Sequence, residues 1–221
     1  EVKKTMLQSR LQKRLRALQM TSFSEYVDFV FSKKGQTEEV IHMMDVVSTN
    51  KIYFFREPVH FDFIKDHVIP QRYSNGSHQR PLKIWSAGCS SGEEPYTIAI
   101  TLNEIKEDYP ALEYSILGTD ISTQMLQNGM NGIYKESRVL NIPMSIKRKY
   151  FLKSKNRENP TVRVIPELRK KITFQRLNFM DPTYKLSEDF DIIFCRNVLI
   201  YFDQKTQENV IRKLTYRLKP K

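Results

Sequence analysis

Apolar side chains recur every three to four residues through the first part of the chain, which is the spacing of amphipathic helices. The polar face of the first predicted helix is strongly basic. We therefore expect an all-helical domain over residues 1–72, whose last helix ends before Pro70 because proline breaks a helix interior. The predicted helices cover residues 6–17, a segment starting at Ser22 or Ser24, residues 38–47 and residues 59–68.

The pattern changes after a polar, turn-rich stretch at residues 71–80, beyond which strands and helices alternate. Such alternation is typical of an α/β protein with a doubly wound, mainly parallel sheet. The sequence thus predicts an α/β domain over residues 73–221, with a ligand site outside the carboxyl ends of its strands. The predicted strands cover residues 82–87, 114–117, 171–177 and 190–195, and the predicted helices cover 93–105, 122–128 and 204–218.

Residues 148–170 interrupt this alternation. Two short apolar runs, at residues 150–152 and 162–165, flank the polar turn KSKNRENP. They predict a small β-subdomain, inserted into the α/β domain, whose edge is basic and open.

Composition agrees with a folded, core-forming chain: 40% of the 221 residues are hydrophobic and 28% are charged. No run of about 18 uncharged apolar residues occurs, so no membrane insertion is expected. The charged start of the chain contains no apolar signal-peptide segment. Two cysteines predict neither a disulfide scaffold nor a zinc site, and the four histidines form no metal pattern. We expect a cytoplasmic protein without a metal.

The formal net charge of +11 is unevenly distributed. Residues 1–34 contain eight basic and three acidic side chains, and residues 135–176 contain thirteen and three. Surfaces of this kind attract nucleic acids, anionic lipids or acidic proteins, and charge alone does not choose among them.

Small residues follow the first predicted strand, in the segment WSAGCSSGEEP at residues 85–95. They allow a sharp turn and a close approach by a ligand. The G-x-G-x-x-G fingerprint of dinucleotide sites is absent, and Glu93 and Glu94 at the helix start would repel a phosphate. The segment therefore favours a neutral or cationic ligand. The alternative, of equal weight, is a tight turn with two ordinary first-turn charges.

Polar residues also follow the other predicted strands. Asp120 lies where nucleoside-binding sheets accept hydrogen bonds from ribose, although it could instead cap the next helix. Together with the preceding loop it indicates an adenosine-containing ligand. Asn197 and Tyr201 follow the most apolar strand, as active-site residues or as a cap and a half-buried aromatic. In the helical part, segment 50–58 either lines a cleft or packs between the domains.

Four segments in this order resemble the chemoreceptor glutamate O-methyltransferases of bacterial chemotaxis (CheR type). They are STNKIYFFREPVHF, KIWSAGCSSGEEPYTIAI, GTDIS followed by NGIY, and FDIIFCRNVLIYFD. The resemblance implies an N-terminal helical domain, an S-adenosylmethionine-binding α/β domain and an inserted β-subdomain. It also implies methylation of glutamate side chains on chemotaxis receptors, with S-adenosylhomocysteine as product. The family continues beyond Leu218, so we expect the α/β domain to be truncated here.

The resemblance implies roles for individual residues. Glu94 would meet the amino group of the methionine portion, Asp120 the ribose, and Asn178 with Phe179 the adenine. Arg56 and Tyr201 would be catalytic, close to the transferred methyl group. The implied cofactor contacts are Asn50, Ile52, Arg56, Glu94, Asp120, Asn178, Phe179, Arg196 and Asn197.

The resemblance also implies a function for the basic surfaces. The receptor methylation helices would dock on the first helix, and a receptor C-terminal peptide could add to the edge of the β-subdomain. Members of the family occur with and without this peptide tether. The implied docking residues are Arg10, Lys13, Arg14 and Arg16.

Two rival functions remain open from the sequence. The family usually has Thr where this chain has Ile52, so a hydroxyl contact to the cofactor is missing. This favours a non-catalytic or weakly cofactor-binding relative that acts as a signalling or docking domain. The basic charge favours a nucleic-acid methyltransferase, but no N-P-P-Y motif is present, and no nucleic-acid partner is expected.

Overall fold

The computed structural model describes residues 2–37, 39–47 and 53–220. The N-terminal helices pack around a small core of Leu15, Tyr26 and Val30. Ser22 is the N-cap of the second helix, since its hydroxyl accepts a hydrogen bond from the backbone N–H of Glu25. The helices are α1 (Val2–Ala17), α2 (Phe23–Phe31), α3 (Lys33–Thr37) and α4 (Glu39–Val47).

A buried ion pair connects these helices. Arg14 on α1 donates two hydrogen bonds to Glu39 on α4, from Nε to Oε1 at 2.8 Å and from Nη2 to Oε2 at 2.7 Å. The hydroxyl of Tyr26 donates a third at 2.9 Å. Burial raises the pKa of Glu39, but these hydrogen bonds outweigh it and leave the pKa below its ordinary value. Arg14 therefore has an internal role in the helical domain.

We expect Glu39→Gln to lower the free energy of unfolding by about 2–3 kcal/mol at pH 7, because Arg14 loses its buried counter-charge. The lowered pKa of Glu39 means that its stabilisation is present above the ordinary value near 4.3 and is lost as pH falls through the folded value. Urea unfolding at pH 7 and at about pH 3 tests this: the difference from the unsubstituted protein should shrink in acid. The exposed Glu25→Gln is the control, and an equal difference at both pH values would contradict the assignment.

The next helical segment does not end before Pro70, so that prediction was wrong. Helix α5 (Val59–Phe63) continues through a π turn (Ile64–Val68) into α6 (Ile69–Ser74). Pro70 lies in the first turn of α6, where a missing N–H is tolerated. Side chains of this segment, among them Phe61 and Ile69, belong to the same core as the strands that follow. The predicted domain boundary at residues 72/73 stays a prediction.

Beyond residue 80 the chain forms alternating strands and helices, which confirms the α/β class. The central sheet has the order β6-β2-β1-β7, and all its strands are parallel. The elements are β1 (Leu82–Ala87), α7 (Glu93–Ile105), β2 (Tyr114–Asp120), α8 (Thr123–Asn131), β3 (Ile133–Lys135), α9 (Met144–Tyr150), β4 (Phe151–Lys153), β5 (Thr161–Val164), α10 (Pro166–Arg169), β6 (Ile172–Arg176), β7 (Ile192–Phe194) and α11 (Gln204–Thr215).

The order of the strands creates a crevice. From β1 the chain moves to β2 and β6 on one side, and then returns to β7 on the other side of β1. Sheets of this kind bind ligands at such a switch point, outside the carboxyl ends of the strands. The crevice therefore opens next to the loops that follow β1 and β7.

The opposite end of the sheet is closed by charged groups around Asp191. Its carboxylate lies 2.6 Å from Arg80 Nη1 and 3.1 Å from Lys219 Nζ, and it accepts the backbone N–H of Lys83 at 2.8 Å. These contacts connect the amino ends of β1 and β7 with the segment after α11. Backbone pairing continues there, where Phe190 and Leu218 form a parallel bridge.

The β-subdomain is an antiparallel sheet with the order β3-β5-β4. The two predicted strands are confirmed, but β3, which has only three residues and directly follows α8, was missed. The hydroxyl of Tyr134 on β3 donates to the backbone oxygen of Ser91 at 2.7 Å, so this sheet is connected to the loop after β1. No helix in the described ranges is long and apolar enough to cross a bilayer.

Candidate functional site

The loop after β1 forms the floor of the crevice. The backbone N–H groups of Gly88 and Cys89 both donate to the oxygen of Thr119, at 2.7 and 2.9 Å. Gly92 has a φ of +91°, and a Cβ there would lie 3.0 Å from the Cα of Gly129. Only glycine tolerates this combination of backbone conformation and close packing. The small residues noted in the sequence therefore let the loop that joins β1 to α7 turn sharply while it packs against β2 and α8.

Asp120 connects two loops at the end of β2. Its carboxylate accepts the backbone N–H of Ser90 at 2.8 Å and that of Ser122 at 3.0 Å. The N-cap of α8 is Ser122, whose hydroxyl accepts from Met125 N–H, so the capping alternative for Asp120 was wrong. The carboxylate thus lies at the end of β2, beside the loop after β1, where it is chemically suited to accept hydrogen bonds from ligand hydroxyl groups.

Glu94 is buried at the start of α7. It accepts hydrogen bonds from Ser86 Oγ at 2.7 Å and from Arg196 Nη1 at 3.1 Å. Burial raises its pKa, against the lowering effect of Ser86 and Arg196. Glu93 is also buried, and burial raises its pKa as well. The alternative of two ordinary first-turn charges is therefore wrong.

Arg196, directly after β7, spans the crevice. One of its terminal nitrogens contacts Glu94, and the other donates to the backbone oxygen of Arg56 and lies 3.3 Å from Glu57 Oε2. The guanidinium carbon lies 5.4 Å from the ring centre of Phe61, at cation–π distance. Arg196 thus joins the loop after β7 to the segment before α5.

Glu57 lies at the mouth of the crevice. Its Oε1 accepts from Asn197 Nδ2 at 3.2 Å and is 3.5 Å from Arg56 Nε. The hydrogen bond from Asn197, followed by the guanidinium groups of Arg196 and Arg56, holds the pKa of Glu57 below its ordinary value. Phe55, Glu57 and Asn197 have φ values of +56°, +55° and +57°. Such backbone conformations cluster at functional sites.

The structure brings Arg56, Glu94, Arg196 and Asn197 together in this crevice. Asp120 lies beside the loop after β1, where it accepts the hydrogen bond from Ser90. Tyr201 lies in a short 3₁₀ turn (Leu199–Tyr201), and its side chain is 53% exposed. Asn50 and Ile52 lie outside the described residues.

The two residues implied for the adenine follow β6. The N–H of Leu177 donates to the oxygen of Asp120 at 3.0 Å, so this segment runs beside the end of β2. Asn178 Oδ1 accepts the N–H of Met180. Phe179 is buried, with its ring packed edge-on against Tyr184 and Phe202.

Sequence analysis missed two residues of the site. Ser86 donates a hydrogen bond to Glu94, and Glu57 contacts both Arg56 and Asn197. The spacing of hydrophobic and polar residues does not mark either position. Both residues lie inside segments that resemble the family, and this was the only indication of a role in the sequence.

The crevice fits the implied cofactor. The hydroxyl of Ser90 is buried without a hydrogen-bond partner among the described residues, as is Nε of Arg196. Acidic groups at the strand ends suit a ligand with hydroxyls and an amino group. Burial raises the pKa of Cys195 to about 12, so this thiol is protonated at neutral pH and is no nucleophile. Within the described residues, no cluster of three or more His, Cys, Asp or Glu side chains is arranged to hold a metal.

Comparison with known families gives two matches. The family described as "CheR methyltransferase, SAM binding domain" matches residues 50–221. The family described as "CheR methyltransferase, all-alpha domain" matches residues 1–48. Together they span nearly the whole chain.

Individual proteins are also similar. The "Chemotaxis protein methyltransferase" of Borreliella burgdorferi is 41% identical over 99% of this chain and 77% of its own length. The protein of the same name from Escherichia coli strain K12 is 36% identical over 99% of this chain and 73% of its own length. Among solved structures, magnesium protoporphyrin IX methyltransferase from Synechocystis PCC 6803 aligns at 14% identity over 90% of this chain and 68% of its own, with a TM-score of 0.36. A similarity this low carries no argument.

Proposed function

Since the chain belongs to the CheR methyltransferase family, we propose that it methylates glutamate side chains of chemotaxis receptors, giving glutamate methyl esters and S-adenosylhomocysteine. The α/β fold class, predicted from the alternation of strands and helices, is confirmed, as are the family and S-adenosylmethionine as cofactor, which the resemblance implied. The chain is an S-adenosylmethionine-dependent methyltransferase of chemotaxis. What we propose is the identity of the methyl acceptor, a receptor glutamate side chain. The supporting observation is the pair of guanidinium groups, Arg56 and Arg196, at the crevice mouth, because guanidinium groups bind carboxylates.

Side chains at the strand ends are proposed to hold the cofactor. Asp120, which accepts the backbone N–H groups of Ser90 and Ser122 beside the loop after β1, would also accept hydrogen bonds from the ribose. Glu94 would accept from the amino group of the methionine portion, and Asn178 with Phe179 would flank the adenine. When bound, S-adenosylmethionine supplies a methyl group on a positively charged sulfur.

The acceptor needs no general base. A glutamate carboxylate has an ordinary pKa near 4.3 and is ionised at neutral pH. Arg56 would orient this carboxylate by a forked hydrogen bond, and the exposed Tyr201 would line its approach. Correct orientation of two reactants alone lowers a barrier by about 7–11 kcal/mol. The methyltransferase would therefore act mainly by positioning.

Docking of the receptor is proposed on α1, whose predicted docking residues differ in their surroundings. Arg14 is paired with Glu39, and Arg10 Nη1 donates to the backbone oxygen of Val47 at 2.5 Å. Lys13 and Arg16 are exposed. A helical bundle with acidic acceptor residues would contact these two side chains first. The predicted cytoplasmic location suits such an acceptor and stays a prediction.

We expect Lys13→Glu with Arg16→Glu to lower kcat/KM for a receptor cytoplasmic fragment about tenfold at low salt, because the docking charge is reversed. Cofactor affinity should not change. The assay follows methyl transfer from labelled S-adenosylmethionine to the fragment, and added salt should reduce the difference. The control, Lys205→Glu with Arg212→Glu, makes the same charge change on α11. Equal losses in the two double variants would contradict docking on α1.

A receptor C-terminal peptide is a second proposed contact. Both β3 and β4 are edge strands of the β-subdomain, and Leu152 on β4 is exposed. An extended peptide adds to such an edge by backbone hydrogen bonds.

A further inference from the structure

The segment at residues 177–189 joins β6 to β7 without forming a helix or a strand. No ladder of backbone hydrogen bonds therefore fixes its peptide groups, and other groups must supply their partners. The segment includes Asn178 and Phe179, the two residues proposed to flank the adenine. Its first turn is closed by a hydrogen bond from the N–H of Asp181 to the oxygen of Asn178, at 3.0 Å.

Lys213 on α11 holds this turn. Its Nζ donates to the backbone oxygen of Phe179 at 2.6 Å and to that of Asp181 at 2.7 Å. The same nitrogen lies 4.7 Å from the ring centre of Tyr184, at cation–π distance. The side chain of Lys213 is half-buried, and hydrogen bonds from a charged donor are about twice as strong as neutral ones. The turn is thus fixed against α11 by a positive charge.

The peptide group between Phe179 and Met180 is held on both sides. Its oxygen accepts from Lys213 and, at 3.2 Å, from the hydroxyl of Tyr184. Its N–H donates to Oδ1 of Asn178 at 3.0 Å. The orientation of this peptide group therefore sets the direction of the Asn178 side chain. In this way Lys213 acts on a proposed adenine contact through the backbone.

Adenine is recognised by the donors and acceptors along its edge. It presents an amino donor at C6 and an acceptor at N1, whereas hypoxanthine presents an acceptor and a donor at the same two positions. A site with fixed polar groups rejects the inverted pattern because its own groups are then left unpaired. A site whose groups can reorient adapts to either base. The rigidity of the turn at residues 178–181 therefore decides how well the site distinguishes the two bases.

We propose that Lys213 is a positioning residue, which fixes the turn at residues 178–181 and so gives the cofactor site its preference for adenine. The inference rests on the proposed function, in which Asn178 and Phe179 flank the adenine. Lys213 acts through the backbone of the turn and does not touch the base.

The test is calorimetric titration with S-adenosylhomocysteine and with S-inosylhomocysteine, which has hypoxanthine in place of adenine. We expect the unsubstituted protein to bind the adenine compound more tightly. In Lys213→Met, which keeps the apolar length of the side chain, this preference should fall about tenfold, mainly through weaker binding of S-adenosylhomocysteine. Lys213→Arg retains charged donors and should restore most of the preference. An unchanged preference in a folded Lys213→Met would overturn the inference.

Arg217, just beyond α11, provides a matched control. Its Nη2 donates to the backbone oxygens of Leu186 and Glu188, at 2.5 and 2.8 Å, in the second half of the same segment. Arg217→Met therefore also removes a cation from two backbone oxygens, but not from the turn that includes the proposed adenine contacts. Its preference for adenine should be normal even if its thermal stability falls. An equal loss of preference in Arg217→Met and Lys213→Met would mean general loosening of the segment and would overturn the role of Lys213.

Tyr184→Phe keeps the test decisive if Lys213→Met does not fold. It removes only the hydroxyl that donates to the oxygen of Phe179. The preference for adenine should fall in the same direction, by about threefold. In that case an unchanged preference in Tyr184→Phe would overturn the inference.

The unsubstituted protein separates this inference from the proposed function. If the folded protein bound neither compound, the proposed cofactor site itself would be refuted. If it bound both equally, the proposed adenine contacts would be refuted, and the inference with them. A normal preference that persists in the variants would refute only the role of Lys213. The proposed glutamate acceptor is tested separately, by methyl transfer.

Discussion

Replacing Arg56 by alanine is expected to reduce kcat for methyl transfer by about 10²–10³-fold, the loss seen when one oriented charged or polar donor is removed from an active site. The fold should be retained. The side-chain contacts of Arg56 include half-exposed Glu57 and the ring of Tyr53, 5.8 Å from the guanidinium carbon. Its backbone oxygen, which accepts the hydrogen bond from Arg196, remains in the variant.

Steady-state methylation of a receptor fragment, with a thermal unfolding curve for each variant, measures this effect. Arg56→Lys retains the positive charge but not the paired N–H donors of a guanidinium group. Its activity should therefore lie between that of Arg56→Ala and that of the unsubstituted protein. Arg212→Ala removes an exposed arginine from α11 and should be as active as the unsubstituted protein. Turnover by a folded Arg56→Ala within about threefold of normal, well short of the loss expected for such a donor, would mean that Arg56 does not orient the acceptor.

Replacing Asp120 by alanine is expected to raise the dissociation constant for S-adenosylhomocysteine about 100-fold. The ribose would lose a charged acceptor. The backbone N–H groups of Ser90 and Ser122 would also lose their partner, while Gly88 and Cys89 would still hold the loop after β1 against Thr119 of β2. Calorimetry with the product measures binding without turnover.

Two further variants show whether the loss of affinity in Asp120→Ala is specific to that carboxylate. Asp120→Asn keeps one acceptor oxygen and should lose less affinity than the alanine variant. Asp189→Ala removes a half-exposed carboxylate that pairs with Arg217 at the other end of the sheet, and should bind normally. An unchanged dissociation constant in a folded Asp120→Ala would show that the ribose is held elsewhere.

Much of the α/β fold was predictable because hydrophobic pattern and turn residues agree there. The predicted bounds of β1 and α7 match the structure residue for residue. Pro70 misled the prediction because a π turn, which leaves no mark in the periodicity, lets the chain remain helical through it. Strand β3 was missed because three residues are too few to show alternation.

The positions of polar residues at the ends of strands, such as Asp120 and Asn197, could be predicted from the sequence. Contacts whose partner comes from a distant part of the chain could not be predicted. Glu57 meets Arg196 across 139 positions, and no local pattern indicates that contact. For Arg14 the prediction failed in the opposite way. Its position on a polar helix face predicted an exposed docking charge, whereas Arg14 forms an ion pair with Glu39 on a neighbouring helix.

The central claim is that this methyltransferase forms glutamate methyl esters on a chemotaxis receptor. The most direct measurement uses S-adenosylmethionine labelled in its methyl group, a receptor cytoplasmic fragment, and mild base after the reaction. We predict that the label enters the fragment and is released by base as volatile methanol, and that a fragment with alanine at its acceptor glutamates takes up none. Label that resists base, or that enters the alanine fragment equally, would contradict the claim.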